Sequence, residues 1–405
     1  MNETRCDLAI LGGGLAGSLI ALAFARMRPD LRVVLIEQEA RFGGDHIWSF
    51  FESDLSEAEQ ALLAPLIAAR WQGYTVRFPA YSRDLATGYA SVTSQRLDAV
   101  LRSYLPAEAL RCGMPVVSAT SSRVVLADGS SVSASGVIDA RGGAGMPHLR
   151  GGWQTFLGQM VKTAHPHGLQ RPIVMDASVE QHDGYRFVYV LPFSEDELFI
   201  EDTYYADHPR IDRPVLQRRI AGYAASRGWQ IERVLYEETG ALPVIAGGAF
   251  ERFWASGDPH LPARAGTRAG LVHPLTSYSL PDAVRFAVHL CSLDNLGAER
   301  LGRISHEWVA NHWREGRFYR MLTKMLFGAS APHERWRMLA RFYRLPEPLI
   351  ERFYAGRSTP ADKARVLAGK PPVPVLRALA ALAGRGRPLA DLWVAGDTGA
   401  AGGQT

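Results

Sequence analysis

Cysteine is scarce in this chain. Only three of its 405 residues are Cys, at Cys6, Cys112 and Cys291, far apart and with no CxxC pair. That pattern excludes a disulfide framework and the common structural zinc sites, and it points to a reducing compartment. Charge is limited too. Charged residues are 21% of the chain against 47% hydrophobic, which excludes a disordered or collagen-like polymer and provides for a large core. At about 150 residues per domain, the length implies two or three lobes. No nucleic-acid-binding motif is legible, and nucleic acid is not an expected partner. The one long uncharged run, residues 8–25 (LAILGGGLAGSLIALAFA), contains four glycines. Each costs about 1 kcal/mol in a helix interior. Arg5 ahead of the run is offset by Glu3 and Asp7, so the basic flank of a signal sequence is missing.

That run reads better as strand, turn and helix. Cys6 to Leu11 is an apolar strand, Ser18 to Met27 an Ala- and Leu-rich helix, and Arg32 to Ile36 a second strand ended by Glu37. Gly12, Gly14 and Gly17 form GxGxxG, with Leu15 and Ala16 inside it, and Glu37 follows Gly17 by 20 residues. This is the dinucleotide fingerprint. Gly12 makes the tight turn, Gly14 lets the backbone approach a pyrophosphate, and Gly17 packs helix on sheet. The first amides of the helix face the phosphates, and Glu37 reaches the ribose hydroxyls.

Further along, Ser94 to Leu105 reads as an amphipathic helix. Arg96 at its start is open to two readings, a phosphate contact or a solvated arginine. Val116 to Val132 reads as two strands joined at Ala127-Asp128-Gly129, and Gly136 to Asp139 as a buried strand. Phe187 to Pro192 and Glu197 to Tyr205 are aromatic and β-rich, as expected of an antiparallel sheet. Within the second, Glu201 and Asp202 are adjacent carboxylates in an apolar stretch. Strand alternation puts them on opposite faces, so one of them can enter a cavity. An edge strand with two exposed acids is the plain alternative. Residues 266–286 combine a Gly-rich loop, His273-Pro274 and a helix from about Pro281, whose free amides can face a cofactor.

Charge is segregated along the chain. Residues 300–387 hold 18 Lys or Arg and 6 Asp or Glu, a net of +12, whereas residues 1–299 carry a net of −6. Aromatic and aliphatic residues recur there at helical spacing from Phe318 to Tyr354. Such a region is either a helical cap packed on the core or a basic amphipathic surface suited to an anionic membrane.

The motifs GGGLAG at 12–17, DHIWSF at 45–50, TSQRLDAVL at 93–101, VIDARG at 137–142, WQTFLGQ at 153–159, FIEDT at 199–203 and AGLVHPLTSYSLP at 269–281 together resemble the bacterial lycopene β-cyclases, carotenoid-ring-forming flavoproteins. The resemblance runs from the first strand to about residue 380. It implies an α/β fold: an FAD-binding Rossmann-like domain of the glutathione-reductase and hydroxylase type, an inserted antiparallel β-sheet substrate domain and a C-terminal helical region. The expected divisions are 1–150 with 251–300 for FAD, 151–250 for substrate, 301–387 for the basic membrane-facing helices, and a disordered tail at 388–405. The Gly43-Gly44 turn after Glu37 likewise resembles flavoproteins and favours FAD over NAD. The implied cofactor is FAD in its reduced form, with NADPH a candidate electron donor. The implied cofactor residues are those of the fingerprint with His46, Arg96, Gly270 and His273. The implied substrates are lycopene and γ-carotene, giving β-carotene, at the cytoplasmic surface of the inner membrane. Catalysis is carried over to Glu201, with Asp202 second. Ser277-Tyr278 departs from the Gly-Tyr pair expected in the His-Pro loop. LWVAGDTGA at 392–400 resembles a ribityl-binding signature, but Asp397 is read as a decoy.

Cyclising a polyene end needs a proton donor, a proton acceptor and stabilisation of a carbocation. A carboxyl in an apolar pocket holds its proton near neutral pH, and Glu201 suits that role. Whether Glu201 or reduced flavin delivers the first proton stays open. Trp153, Phe156, Tyr185 and Tyr189 are either cation–π partners or core. Two competing readings share the fold: a flavin monooxygenase or double-bond reductase on an isoprenoid, and a non-catalytic flavin-binding membrane protein.

Overall fold

The computed structural model describes residues 3–142, 145–182, 184–255, 260–369 and 373–389. Asp397 and most of the expected tail lie outside them.

The strand Glu3–Leu11 is buried along its second half because it is central in a sheet covered on both faces. It pairs in parallel with Val33–Ile36 on one side and Ser131–Asp139 on the other. Its side chains alternate between two cores: Leu8 and Ile10 join one, Ala9 and Leu11 the other. Leu110–Arg111 extends this sheet at one edge. Arg123–Leu126 and Val116–Ala119 form the antiparallel other edge, and Ala263–Arg264 returns from late in the chain to pair with Ser131–Asp139. The helix Leu15–Met27 packs on this sheet beside the helix Leu280–Cys291. Ser94–Tyr104 forms the expected amphipathic helix, capped by Thr93, whose hydroxyl accepts from the Arg96 amide.

A second large sheet runs in the order Ile231–Gly248, Leu149–Thr163, Glu197–Ala206, Tyr185–Pro192, Ile173–Asp176, Tyr74–Phe78, Tyr81–Leu85. Its last two strands come from the N-terminal third of the chain. One face is covered by the helix Arg213–Ser226 through Leu216, Ile220 and Tyr223. The other packs partly on the C-terminal helices and partly borders a cavity. A small third sheet, Ile47–Phe51, Tyr89–Thr93 and Ile67–Trp71, encloses in sequence the two strands Tyr74–Phe78 and Tyr81–Leu85 that join the second sheet.

The aromatic stripes of the basic region are core. Leu326, Phe342, Tyr343, Leu349, Ile350, Phe353 and Tyr354 are all buried with residues of the second sheet. Several arginines there are spent internally. Arg335 is almost wholly buried, donates to the Tyr205 carbonyl and pairs with Asp207, while Arg320 lies over the Trp313 ring.

Candidate active site

The glycine turn opens onto a cavity of about 430 Å³ whose walls include Gly14, Leu15, Ala16, His46, Glu201 and Glu238. Gly12 has φ +92, and a Cβ there would stand 2.7 Å from the Arg141 backbone. At Gly17 a Cβ would stand 2.0 Å from the Gly12 carbonyl oxygen. Gly14, by contrast, has nothing within 4 Å of that position, and the helix it begins has no side-chain cap. Uncapped first-turn amides beside an open glycine are a cradle for an anion such as a pyrophosphate. Glu37 ends its strand as expected. Its Oε2 accepts from the Gly13 amide at 2.6 Å and its Oε1 from Glu39 at 3.0 Å, which ties the acid to the turn. These residues fit a dinucleotide such as FAD.

The opposite wall is the second sheet. The strand Glu197–Ala206 places Glu201 on the cavity side, with Phe156, Phe187, Tyr189 and Tyr205 around it. Burial pushes the Glu201 carboxyl up to about 8, with the Glu238 charge adding to the effect and a hydrogen bond from Thr203 opposing it. Asp202 faces the other way. It is fully buried, accepts from Arg186 Nε at 2.7 Å and from the Tyr204 hydroxyl at 3.0 Å, and does not border the cavity.

Glu238 was not singled out from sequence. It lies on Ile231–Gly248, and Gly158 of the intervening strand is in register with both Glu201 and Glu238. The two carboxylates therefore share a face, about 10 Å apart at ideal strand spacing. A Cβ at Gly158 would stand 2.2 Å from the Phe199 ring, so that ring fills the space between them. Glu238 accepts from His46 at 2.9 Å and from the Ile47 amide at 3.0 Å. Burial raises the Glu238 carboxyl, and the hydrogen bond to Glu238 raises His46. The available signal was a second acidic pair, Glu237-Glu238, in a strand: Glu237 turns outward to Gln159, Arg213 and Gln217 while Glu238 turns in.

The other expected contacts diverge. Arg96 is exposed, donates to the Pro65 carbonyl and is off the cavity wall. Gly270, with φ +75, closes the short turn Gly266–Ala269, whereas Gly266 and Thr267 reach the cavity. His273 is buried and accepts from the Leu275 and Thr276 amides; burial pushes it down to about 4, so it is neutral. It borders a second cavity of about 320 Å³, on the far side of Tyr278. In the same loop Ser277 has φ +59, a left-handed conformation that costs a non-glycine about 1–2 kcal/mol. That explains why glycine is expected there. The Ser277 hydroxyl donates to the Pro243 carbonyl at 2.7 Å, which offsets part of the cost. Of the four candidate aromatics, Phe156 and Tyr189 border the cavity and Trp153 and Tyr185 are core. The Tyr189 hydroxyl bonds Tyr89, which bonds Tyr278, making a polar thread in an otherwise aromatic wall.

The family model described as lycopene cyclase protein matches residues 7–380. The chain is 46% identical over 370 residues to a lycopene beta-cyclase of Pseudescherichia vulneris, covering 91% of this chain and 95% of that protein. To a lycopene beta-cyclase of Pantoea ananas it is 45% identical over 381 residues, covering 94% and 98%. Among solved structures it is similar to a geranylgeranyl bacteriochlorophyll reductase-like protein of Thermoplasma acidophilum, with TM-score 0.60, 14% identity and coverage of 94% and 100%. It is also similar to a flavin-dependent brominase, with TM-score 0.56, 13% identity and coverage of 87% and 94%. The solved structures share the fold, and the sequence match places the chain in the lycopene cyclase family.

Proposed function

We propose that this chain closes the linear ends of lycopene into β-rings, by way of γ-carotene to β-carotene, using acid–base chemistry in the cavity beneath Glu201. One observation carries the mechanism: a carboxyl held protonated near neutral pH in an aromatic wall, across from the glycine cradle. Glu201 gives a proton to the terminal double bond, the next double bond attacks the tertiary cation, and a ring proton leaves. Phe156, Phe187, Tyr189 and Tyr205 turn their rings to the cavity, where aromatic faces stabilise a cation by about 0.5–2 kcal/mol each. FAD would be held by Gly12, Gly14, Leu15, Ala16, Gly17 and Glu37, and in its reduced form, with NADPH as candidate donor, it would supply negative charge that stabilises a cation. No electrons are consumed. Anaerobic incubation with lycopene and chemically reduced FAD should yield β-carotene without flavin oxidation. Oxygen uptake with a hydroxylated product would instead establish the monooxygenase reading.

The cradle carries its own prediction. In Gly17→Val the new side chain would drive the helix away from Gly12, and the purified protein should retain less than about a tenth of the wild-type flavin absorbance. Flavin content equal to wild type would count against the cradle.

Lycopene is a bilayer solute, so peripheral membrane association belongs to the same reading. Among the described residues no helix is long and apolar enough to cross a membrane. With the Phe318–Tyr354 stripes turned inward, the best-exposed apolar face is on the helix Val375–Ala383, where Val375, Leu376 and Leu379 are 58%, 81% and 57% exposed. Arg377, Arg385 and Arg387 flank it with no acid in the segment. Replacing Leu376 and Leu379 with Glu should lower flotation on anionic liposomes more than tenfold, at about 1.5–3 kcal/mol per buried Leu. High salt should weaken wild-type binding by screening the arginines.

A further inference from the structure

We infer that Glu238, braced by His46, is the proton acceptor that sets the ring double bond. The inference rests on the proposed cyclisation and assigns its second half.

The chemistry separates into two proton transfers at different carbons. In the first, the donor's O–H bond breaks and a C–H bond forms at the terminal alkene, leaving the positive charge on the neighbouring carbon. Ring closure forms one C–C bond and moves the charge to a ring carbon. In the second, a C–H bond beside that charge breaks, its electron pair becomes the ring double bond, and the proton passes to a base. One proton enters and one leaves, so no oxidant or reductant is consumed. The donor must begin protonated, and the acceptor must begin ionised.

The cavity holds two carboxylates in the required different settings. Glu201 has a hydroxyl from Thr203 and, among the described residues, no cation acting on it. Glu238 is 5% exposed and receives two donors, the His46 ring and the Ile47 amide, one on each oxygen. Each oxygen keeps a further lone pair. Burial raises this carboxyl and so makes its anion a stronger base, while the two donors favour the ionised form and oppose the rise. Gly158 allows both groups onto one wall with only the Phe199 ring between them. That apolar ring separates the two protonation states, as a donor and an acceptor in one site require. His46 reaches into the cavity from the strand-start segment opposite and is a positioning residue: its contact is with Glu238.

The position of the acceptor decides which proton leaves. A base at the ring carbon that carries the polyene chain gives the β-ring. Without it the same cation loses a proton from the adjacent ring methylene or the methyl group, giving isomeric rings. The full-length Glu238→Gln protein, loaded with reduced FAD and given lycopene anaerobically, should slow by about 10²-fold and release rings with the double bond displaced. If ring products vanish, lycopene recovered from D₂O should carry deuterium, because the first proton transfer still occurs and reverses. β-Rings alone, at any rate, would overturn the assignment, as would unlabelled recovered lycopene with no ring product. Where Glu238→Gln fails to retain flavin, Glu238→Asp is judged by the same two readouts. Failure of the parent reading looks different: the wild-type protein would form no β-carotene under these conditions, or Glu201→Gln would cyclise at the wild-type rate.

Discussion

Glu201→Gln should lower β-carotene formation by about 10²- to 10⁴-fold, the range for loss of a positioned general acid, and should at the same time make the protein harder to melt. The first effect follows from the reaction, since glutamine cannot give up a proton to an alkene. The second follows from linkage. Burial raises the Glu201 carboxyl from an ordinary 4.5 to about 8. A carboxyl whose folded pKa is raised stabilises the fold fully below the unfolded value, and that contribution is lost as pH rises through the folded one. At pH 7 the unfolded chain ionises Glu201 and the folded chain does not, which favours unfolding by up to about 3 kcal/mol. Water admitted by the cavity reduces this figure. Glutamine does not ionise and removes the penalty, so the variant should melt several degrees higher at pH 8 and equally at pH 4. The wild-type rate should fall as pH rises past about 8, where the donor loses its proton. A variant that loses activity and stability together would mean that Glu201 is structural.

The N-terminal half of the site was legible because its determinants are local. GxGxxG, the following helix and Glu37 lie within 26 residues, and each has a backbone reason to be where it is. Strand alternation likewise separated Glu201 from Asp202, because period two is a property of the strand itself. The partner of Glu201 was not legible. Glu238 meets it only through a register set by Leu149–Thr163, which pairs with both strands, and sequence spacing does not report non-local register. The same limit hid the joining of Tyr74–Phe78 to Ile173–Asp176, almost a hundred residues apart, and the turning of the Phe318–Tyr354 stripes toward the core. Helical periodicity shows that a face is apolar and leaves its partner undetermined.

Asp202→Ala should do the reverse of Glu201→Gln: cost about 3–5 kcal/mol of stability and leave the reaction alone. Asp202 is fully buried and Arg186 nearly so. Burial raises the Asp202 carboxyl, and Arg186 and the Tyr204 hydroxyl pull it back, so most of the attraction is consumed in desolvation. Such a pair adds little beyond an apolar pair of the same volume, yet removing one member is expensive. Among the described residues, the Arg186 guanidinium would keep only the Glu180 carbonyl at 3.2 Å and would sit charged in the core without a counter-ion. Removing Arg186 as well, in Asp202→Ala with Arg186→Met, should recover most of the loss, giving a coupling of about 2 kcal/mol or more in a double-mutant cycle. Because the carboxylate faces away from the cavity, turnover per folded molecule and ring type should match the wild type. A specific loss of turnover in stably folded Asp202→Ala, uncorrected by the second substitution, would give Asp202 a direct part in the chemistry despite its place on the far face of the strand.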